Sequence, residues 1–458
     1  METPYDKIRR IEDEYEVKQI RYKGESYWPL FRSLMLSEIS FGKDYKKNVS
    51  TTGVFEKVTS AFFGFLNWFR KYDYIAFSNH LEQKYVDGAY IDKLLEKTIT
   101  ELGHNRVLYI ENTNKHLKNS DYRGKRVVSW NILLLLIGVV SKINFFKTKL
   151  TGEAILEDII TQEGLAIRPE VRLRQFLAKT WVLHILFKIY RPKCVFLTDY
   201  GYYPMTFAAK KLSINTVEYQ HGIIGKVHPF YHPKVKLNPT FCPNYLFVFG
   251  EYDKQSLSDG NYVSSQNIFP VGNFYLEYVL NRKYNPEIVN LVNQYRASIC
   301  IPTNILSQEF LLSFVHKAAL QVPDVIFILV PRDYGQFSPL IDQIEAPNVH
   351  VENKHTFQEV VRHCTFNSST ISTCNLEAIS LGVQNILIED STKLTKKYYG
   401  ELLSDTSVTK FVETVDEYVE CINTFKPIEK ERIINSNDKN YMPNYPKNLI
   451  LALNKILN

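Results

Sequence analysis

Short apolar runs rich in β-branched and aromatic residues alternate with helical patterns along most of this 458-residue chain. That alternation limits the fold more than any other feature. Parallel strands need long crossovers, and helices supply them while covering both faces of the sheet. A first set of runs lies at 74–78 (YIAFS), 106–111 (RVLYIE), 194–198 (CVFLT), 215–219 (NTVEY), 245–249 (YLFVF) and 267–271 (NIFPV). Helices are expected between them at 90–102, 129–140, 170–190 and 204–212. The pattern restarts with strands at 298–302 (SICIP), 324–330 (DVIFILV), 348–352, 364–367 and 383–388, and helices at 308–320, 356–363 and 372–381. The reading is α/β, with two Rossmann-like domains facing across a cleft. The first spans 1–274 and the second 298–447, with the polar, Asn-rich stretch 275–297 as hinge. A helix near 448–458 is expected to pack back on the first domain. Ligands of open parallel sheets sit beyond the carboxyl ends of the strands, so the loops after strands are where chemistry belongs.

Composition narrows the class. With 45% apolar and 23% charged residues the chain is neither disordered, collagen-like nor a long coiled coil. Six cysteines form no CxxC pair and no zinc-spaced cluster, which fits reduced thiols, no metal site and a cytoplasmic protein. The first residues are charged and read as no signal peptide, and the apolar run 132–140 is too short for a bilayer span of about 20 residues. The 14% aromatic content can serve stacking on sugar rings, but AT-rich coding explains it as well. The formal charge of +6 is too small to imply nucleic acid. Its distribution is uneven. Residues 115–149 carry eight basic side chains and one acid around the run 132–140. This basic insert reads either as a buried helix with solvated flanks or as a segment that docks on an anionic membrane surface.

Four strand ends carry candidate chemistry. Glu218-Tyr219-Gln220-His221-Gly222 places an imidazole at a strand terminus, where it can exchange protons with a ligand. His228 and His232 follow, but two prolines interrupt the series and the spacing fits no zinc pattern. Gln220, Gly222 and His228 are candidate cleft-loop residues beside His221. Asp199, after 194–198, is a candidate general base or a cap for the following helix. In the second half, Ser368, Ser369 and Thr370 crowd the start of a helix, whose unpaired N–H groups attract phosphate. Glu377, about two turns in, can accept from ribose hydroxyls; plain N-capping by Ser/Thr is the alternative. Arg332, after 324–330, has the planar fork that suits phosphate.

In order along the chain, these landmarks resemble those of bacterial GT-B glycosyltransferases of the surface-polysaccharide type, found in capsule and lipopolysaccharide biosynthesis. Tyr27-Trp28-Pro29-Leu30-Phe31-Arg32 is similar to their N-terminal WPL-aromatic-Arg segment, and Glu218 to Gly222 to their Gln-His-Gly loop. Phe247-Val248-Phe249-Gly250 and Val271-Gly272-Asn273 resemble two of their strand ends. Ser307-Gln308 resembles the opening of their first C-terminal-domain helix, and Ser369-Thr370, Glu377-Ala378 and Leu381-Gly382 their donor-site helix. The resemblance covers most of 70–390. It implies a nucleotide-sugar donor on the C-terminal domain, held by Gln308, Arg332, Ser368, Ser369, Thr370 and Glu377. It also implies a glycan or lipid-linked glycan acceptor on the N-terminal domain, catalysis by Asp199 or His221, and no cofactor or metal. Related proteins carry Lys-x-His-Pro where this chain has Val330-Pro331-Arg332-Asp333-Tyr334, so either Arg332 replaces that histidine or the donor differs. The competing functions are a sugar-nucleotide epimerase on the same architecture and a non-catalytic polyanion binder using 115–149.

Overall fold

Two all-parallel sheets form, one in each half of the computed structural model, which describes residues 2–42, 59–112, 119–143, 146–303, 308–331 and 340–457. The first sheet comprises β1 (Tyr74–Asn79), β2 (Val107–Asn112), β3 (Arg126–Ser129), β4 (Cys194–Leu197), β5 (Asn215–Tyr219), β6 (Tyr245–Val248) and β7 (Ile268–Pro270). Their order is β7-β6-β5-β4-β1-β2-β3, so the chain reverses direction across the sheet between β1 and β4. The second sheet comprises β8 (Ala297–Thr303), β9 (Val325–Pro331), β10 (Val349–Val351), β11 (Phe366–Asn367), β12 (Gln384–Ile388) and β13 (Thr409–Val412), in the order β10-β9-β8-β11-β12-β13. That is the doubly wound order, with its switch point between β8 and β11. Central strands are buried throughout because helices cover both faces: every residue of β4 and β8 is buried.

The chain divides into one unit of Met1–Phe249, Asp253–Val271 and Pro446–Asn458, and another of Gly250–Tyr252 and Gly272–Tyr445. In the first, helix α1 (Pro4–Glu14) starts with Pro4 in its first turn and Thr3 capping the Asp6 amide, and α2 (Trp28–Phe41) starts with Pro29. Helices α3 (Asn131–Lys142), α4 (Pro169–Tyr190) and α5 (Tyr203–Lys210) contribute to the core around β1, β2 and β4. The second unit contains α6 (Gln308–Gln321) and α7 (Cys374–Ser380). Helix α8 (Tyr445–Leu457) returns to the first unit, with Lys455 Nζ 5.1 Å from the Phe269 ring on edge strand β7.

Three expectations change. The helix expected over 90–102 is confined to Glu96–Leu102, because Asp87 and Gly88 adopt positive φ and close a hairpin between Gln83–Val86 and Ala89–Asp92. The stretch read as a hinge is largely helical, in Phe274–Leu280 and Pro286–Val292; Asn285 and, just before the stretch, Asn273 are N-caps that accept from the amides that follow them, while Asn281 and Asn293 sit at the C-caps. The apolar run of α3 is buried along one side only. Leu133 and Ile137 face the core, whereas Leu134, Leu135, Leu136 and Val139 are exposed. No helix among the described residues is long and apolar enough to cross a membrane.

A buried ion pair ties the N-terminal helices to the rest of the first unit. Arg32 and Glu12 are both buried, with Arg32 Nε 2.8 Å from Glu12 Oε1. Glu12 also accepts from Trp28 Nε1 at 2.9 Å and the Lys234 amide at 2.8 Å. The other end of the Arg32 fork donates to the Pro229 and Phe230 carbonyls at 2.6 and 3.4 Å. Nearby, Glu218 on β5 accepts from Tyr231 Oη at 2.8 Å and Tyr262 Oη at 2.6 Å. Burial nevertheless pushes its carboxyl up to about 7, with the Asp199 charge adding to the rise.

Two outcomes follow. Arg32→Ala leaves a buried carboxylate unpaired and is expected to cost about 3–5 kcal/mol by urea denaturation; Arg32→Lys recovers only part, because an ammonium cannot span both sets of acceptors. Glu218 holds a proton in the folded state up to a higher pH than in the unfolded chain, so its contribution weakens stability as pH rises from about 4.5 toward 7. The stability difference between wild type and Glu218→Gln should therefore shift by about 3 kcal/mol in the variant's favour between pH 4.5 and pH 8.

Candidate functional site

Strand register brings three loops of the first unit together. Phe77 of β1 lies opposite Leu197 of β4, and Leu197 opposite Glu218 of β5. The residues after these strands therefore emerge side by side at the carboxyl edge, on either side of the switch point. They include Asp199 and Tyr200 after β4, and Gln220, His221 and Gly222 after β5.

Tyr200 is the hub of this cluster. Its ring centroid lies 5.1 Å from that of His221, 5.4 Å from His228 and 4.2 Å from Phe230. The Nδ1 atoms of His221 and His228 are shielded from solvent and have no hydrogen-bond partner among the described residues. Burial, with His221, His232 and Arg32 nearby, holds the His228 imidazole down to about 3, so it is neutral at physiological pH. His232 plays a different part: it is buried, and its Nε2 lies 2.6 Å from the Gly225 carbonyl.

Gln220 anchors the loop. Its Nε2 donates to the Gly222 carbonyl and to Asp253 Oδ2, both at 2.8 Å, and its Oε1 accepts from the Phe249 amide at 2.7 Å. The side chain is thus occupied in shaping the turn. Burial raises Asp253 to about 6, against the bonds from Gln220, Gly225 and Ile224. The left-handed residue of the turn is Gly225 (φ 52°), not Gly222.

Asp199 does not cap α5, whose N-cap is Tyr202 without a side-chain bond. It accepts from the Gly201 amide at 3.2 Å and lines a cavity of about 150 Å³ with Ser78, Asn112, Trp130 and Lys179. Burial lowers the Lys179 ammonium below its ordinary range, and its Nζ sits 6.0 Å from the Trp130 ring. A carboxylate and a cation in one concave site can polarise and deprotonate a hydroxyl. Glu82, after β1, is a further member that the sequence reading missed. Burial opposes its charge, but Lys93 at 3.0 Å, His221 and Lys84 outweigh that and hold it below its usual range. The signal was the polar Ser78-Asn79-His80 step at a strand end. Lys179 gave no signal, being one lysine inside a long helical pattern.

In the second unit the hydroxyl-rich stretch sits after β11. Ser368, Ser369 and Thr370 are buried. The Ser368 hydroxyl donates to the Ile386 carbonyl, and Ser369 to the Pro302 carbonyl at 3.5 Å. These two side chains therefore fasten the loop to neighbouring strands. Helix α7 begins only at Cys374, so the hydroxyls precede it and Glu377 lies in its first turn rather than two turns in. Glu377 is buried and accepts from Gln358 Nε2 at 2.6 Å. Gln308 opens α6, half-buried. Arg332 lies outside the described residues, immediately after β9.

No protein-family model matches the chain, and no curated protein matches it. Solved structures do. A putative UDP-N-acetylglucosamine 2-epimerase from Listeria monocytogenes superposes with a TM-score of 0.52 at 11% identity, covering 84% of this chain and 96% of that one. The S. aureus MnaA–UDP co-structure gives 0.51 at 9% identity, with coverage of 84% and 96%. The α,α-trehalose 6-phosphate synthase from Burkholderia multivorans gives 0.50 at 10% identity, with coverage of 84% and 99%. Identities this low speak to architecture alone. The chain has the GT-B-type fold of two Rossmann-like domains, which is shared by a protein titled as a putative epimerase and by one titled as a trehalose 6-phosphate synthase.

Proposed function

We propose that the protein is a glycosyltransferase that moves a sugar from a nucleotide-sugar donor to a glycan or lipid-linked glycan acceptor in bacterial surface-polysaccharide synthesis, without a metal. One observation carries the reading. The first unit has a cavity at its switch point lined by Asp199 and Lys179, beside a His221–Tyr200–His228 cluster. An acceptor hydroxyl that attacks an anomeric carbon needs a proton-accepting group within hydrogen-bond reach, which such a site offers.

The acceptor hydroxyl enters the cavity, and Asp199 or His221 takes its proton as the oxygen attacks the anomeric carbon. Neutral His228 and Tyr200 form a wall of the site. The donor's nucleotide leaves through its phosphate oxygen, taking the electron pair of the broken bond to the anomeric carbon. Its charge is received in the second domain by Arg332 and backbone amides around Ser369 and Thr370, while Glu377 accepts from the ribose. An epimerase on the same fold is the reading to beat, since it handles a nucleotide-sugar with no acceptor.

A panel of UDP, GDP, CMP and dTDP should include one nucleotide that raises the melting temperature of the protein, because a ligand of the native state stabilises it. Glu377→Ala should lose most of that shift, and an unchanged shift removes Glu377 from the donor site. Asp199→Asn or His221→Ala should cut transfer about a hundred- to ten-thousandfold while the nucleotide shift persists. Conversion of a UDP-sugar to its epimer with no acceptor present would replace this reading with the epimerase.

A further inference from the structure

The first unit carries an apolar surface that nothing in the described chain covers. Phe62, Phe65, Leu66 and Phe69 are all exposed, Leu66 to 75% and Phe69 to 73%. They lie on and just before a 3-10 turn at Phe65–Phe69. On α3, Leu135, Leu136 and Val139 point away from the buried Leu133 and Ile137, and Ile143 at the C-cap is also exposed. The two elements are stitched together. Asn131 Nδ2 donates to Ser60 Oγ at 2.6 Å, the Ser129 amide to the Phe63 carbonyl at 3.4 Å, and Asn67 Nδ2 to the Val127 carbonyl at 3.0 Å. Gly64, at φ 66°, lets the chain press against β3, since a Cβ there would meet the Val127 carbonyl oxygen at 1.9 Å. Single exposed apolar residues are ordinary, but a cluster on two adjoining elements marks an interaction surface.

The charge around this surface is of one sign. No acid occurs in 59–72, 122–150 or 175–193, the stretches that form the turn, α3 and its flanks, and the half of α4 packed beside α3. Lys125 is spent internally in an ion pair with Glu96 at 2.5 Å. Arg70, Lys71, Lys142, Lys147 and Lys149 are exposed.

We propose that this face, the 59–71 turn together with α3, docks the protein on a lipid bilayer with anionic headgroups. Rings and aliphatic side chains enter the acyl boundary while the lysines and arginines meet the headgroups. A second copy of the chain fits less well, because it brings the same uncompensated cations against themselves. Segment 43–58 fits no better, as it carries four lysines against two acids. The inference stands apart from the catalytic reading and does not rest on it.

The test is co-sedimentation of the full chain with vesicles of phosphatidylglycerol and phosphatidylcholine, or of phosphatidylcholine alone, at low and high salt. Binding is expected only to the anionic vesicles and is expected to weaken with salt. Lys142→Gln should weaken it about fivefold, and Leu66→Ser with Val139→Ser at least about tenfold. All three side chains are exposed, so the fold should survive, which an unchanged melting temperature checks. Failure of the wild type to bind, equal binding to neutral vesicles, or unchanged binding by both variants would each overturn the proposal. So would a wild-type oligomer in light scattering that the apolar variant dissolves without any change in lipid binding.

Discussion

The Arg32–Glu12 pair is the contact on which the candidate site of the first unit depends. It is formed between two helices at the start of the chain, yet what it holds is the segment around Pro229 and Phe230, far along the sequence. Phe230 packs on Tyr200, and Tyr200 packs on His221 and His228. One buried guanidinium therefore sets the wall against which the imidazoles rest. A buried pair of this kind adds little net stability over an apolar replacement; its effect is to fix one geometry, since each donor has a single matching acceptor.

The same logic runs through both units. Around β5, the Gln220 amide has both ends engaged, and Glu218 is held by two tyrosine hydroxyls. In the second unit, Asn367, Asn375 and Asn385 bond one another behind the loop that follows β11. Polar side chains immediately after a strand are thus used twice over. Some point outward as candidate chemistry, and their neighbours satisfy the backbone of the turn that presents them.

The architecture was largely legible in the sequence, because period and apolarity report directly on buried parallel strands; 215–219 and 383–388 were placed within a residue. Local turn chemistry was less so. Asp87-Gly88 was a readable hairpin signal that the surrounding helical pattern masked. The hydroxyls of Ser368 and Ser369 looked like phosphate donors, but the strands beside them, distant in sequence, supply carbonyls that take them up. The outward face of α3 was illegible for a different reason. A wholly apolar helix has no polar stripe to reveal which side meets the core, so the sequence leaves burial and surface docking both open.

The first unit is interrupted in sequence: it leaves at Val271 and is completed by Pro446–Asn458. Helix α8 reaches edge strand β7, where Asn448 Nδ2 lies 3.5 Å from the Val271 carbonyl and Lys455 covers the Phe269 ring. During synthesis, then, the second unit has all its strands before the first has its last helix. For that interval the Phe269 ring and the Val271 carbonyl lack the partners that α8 brings, and an incomplete unit with an edge strand is open to pairing with another chain. The order of emergence makes the earlier-synthesised unit the later one to finish, and puts its period of greatest aggregation risk inside translation of its partner.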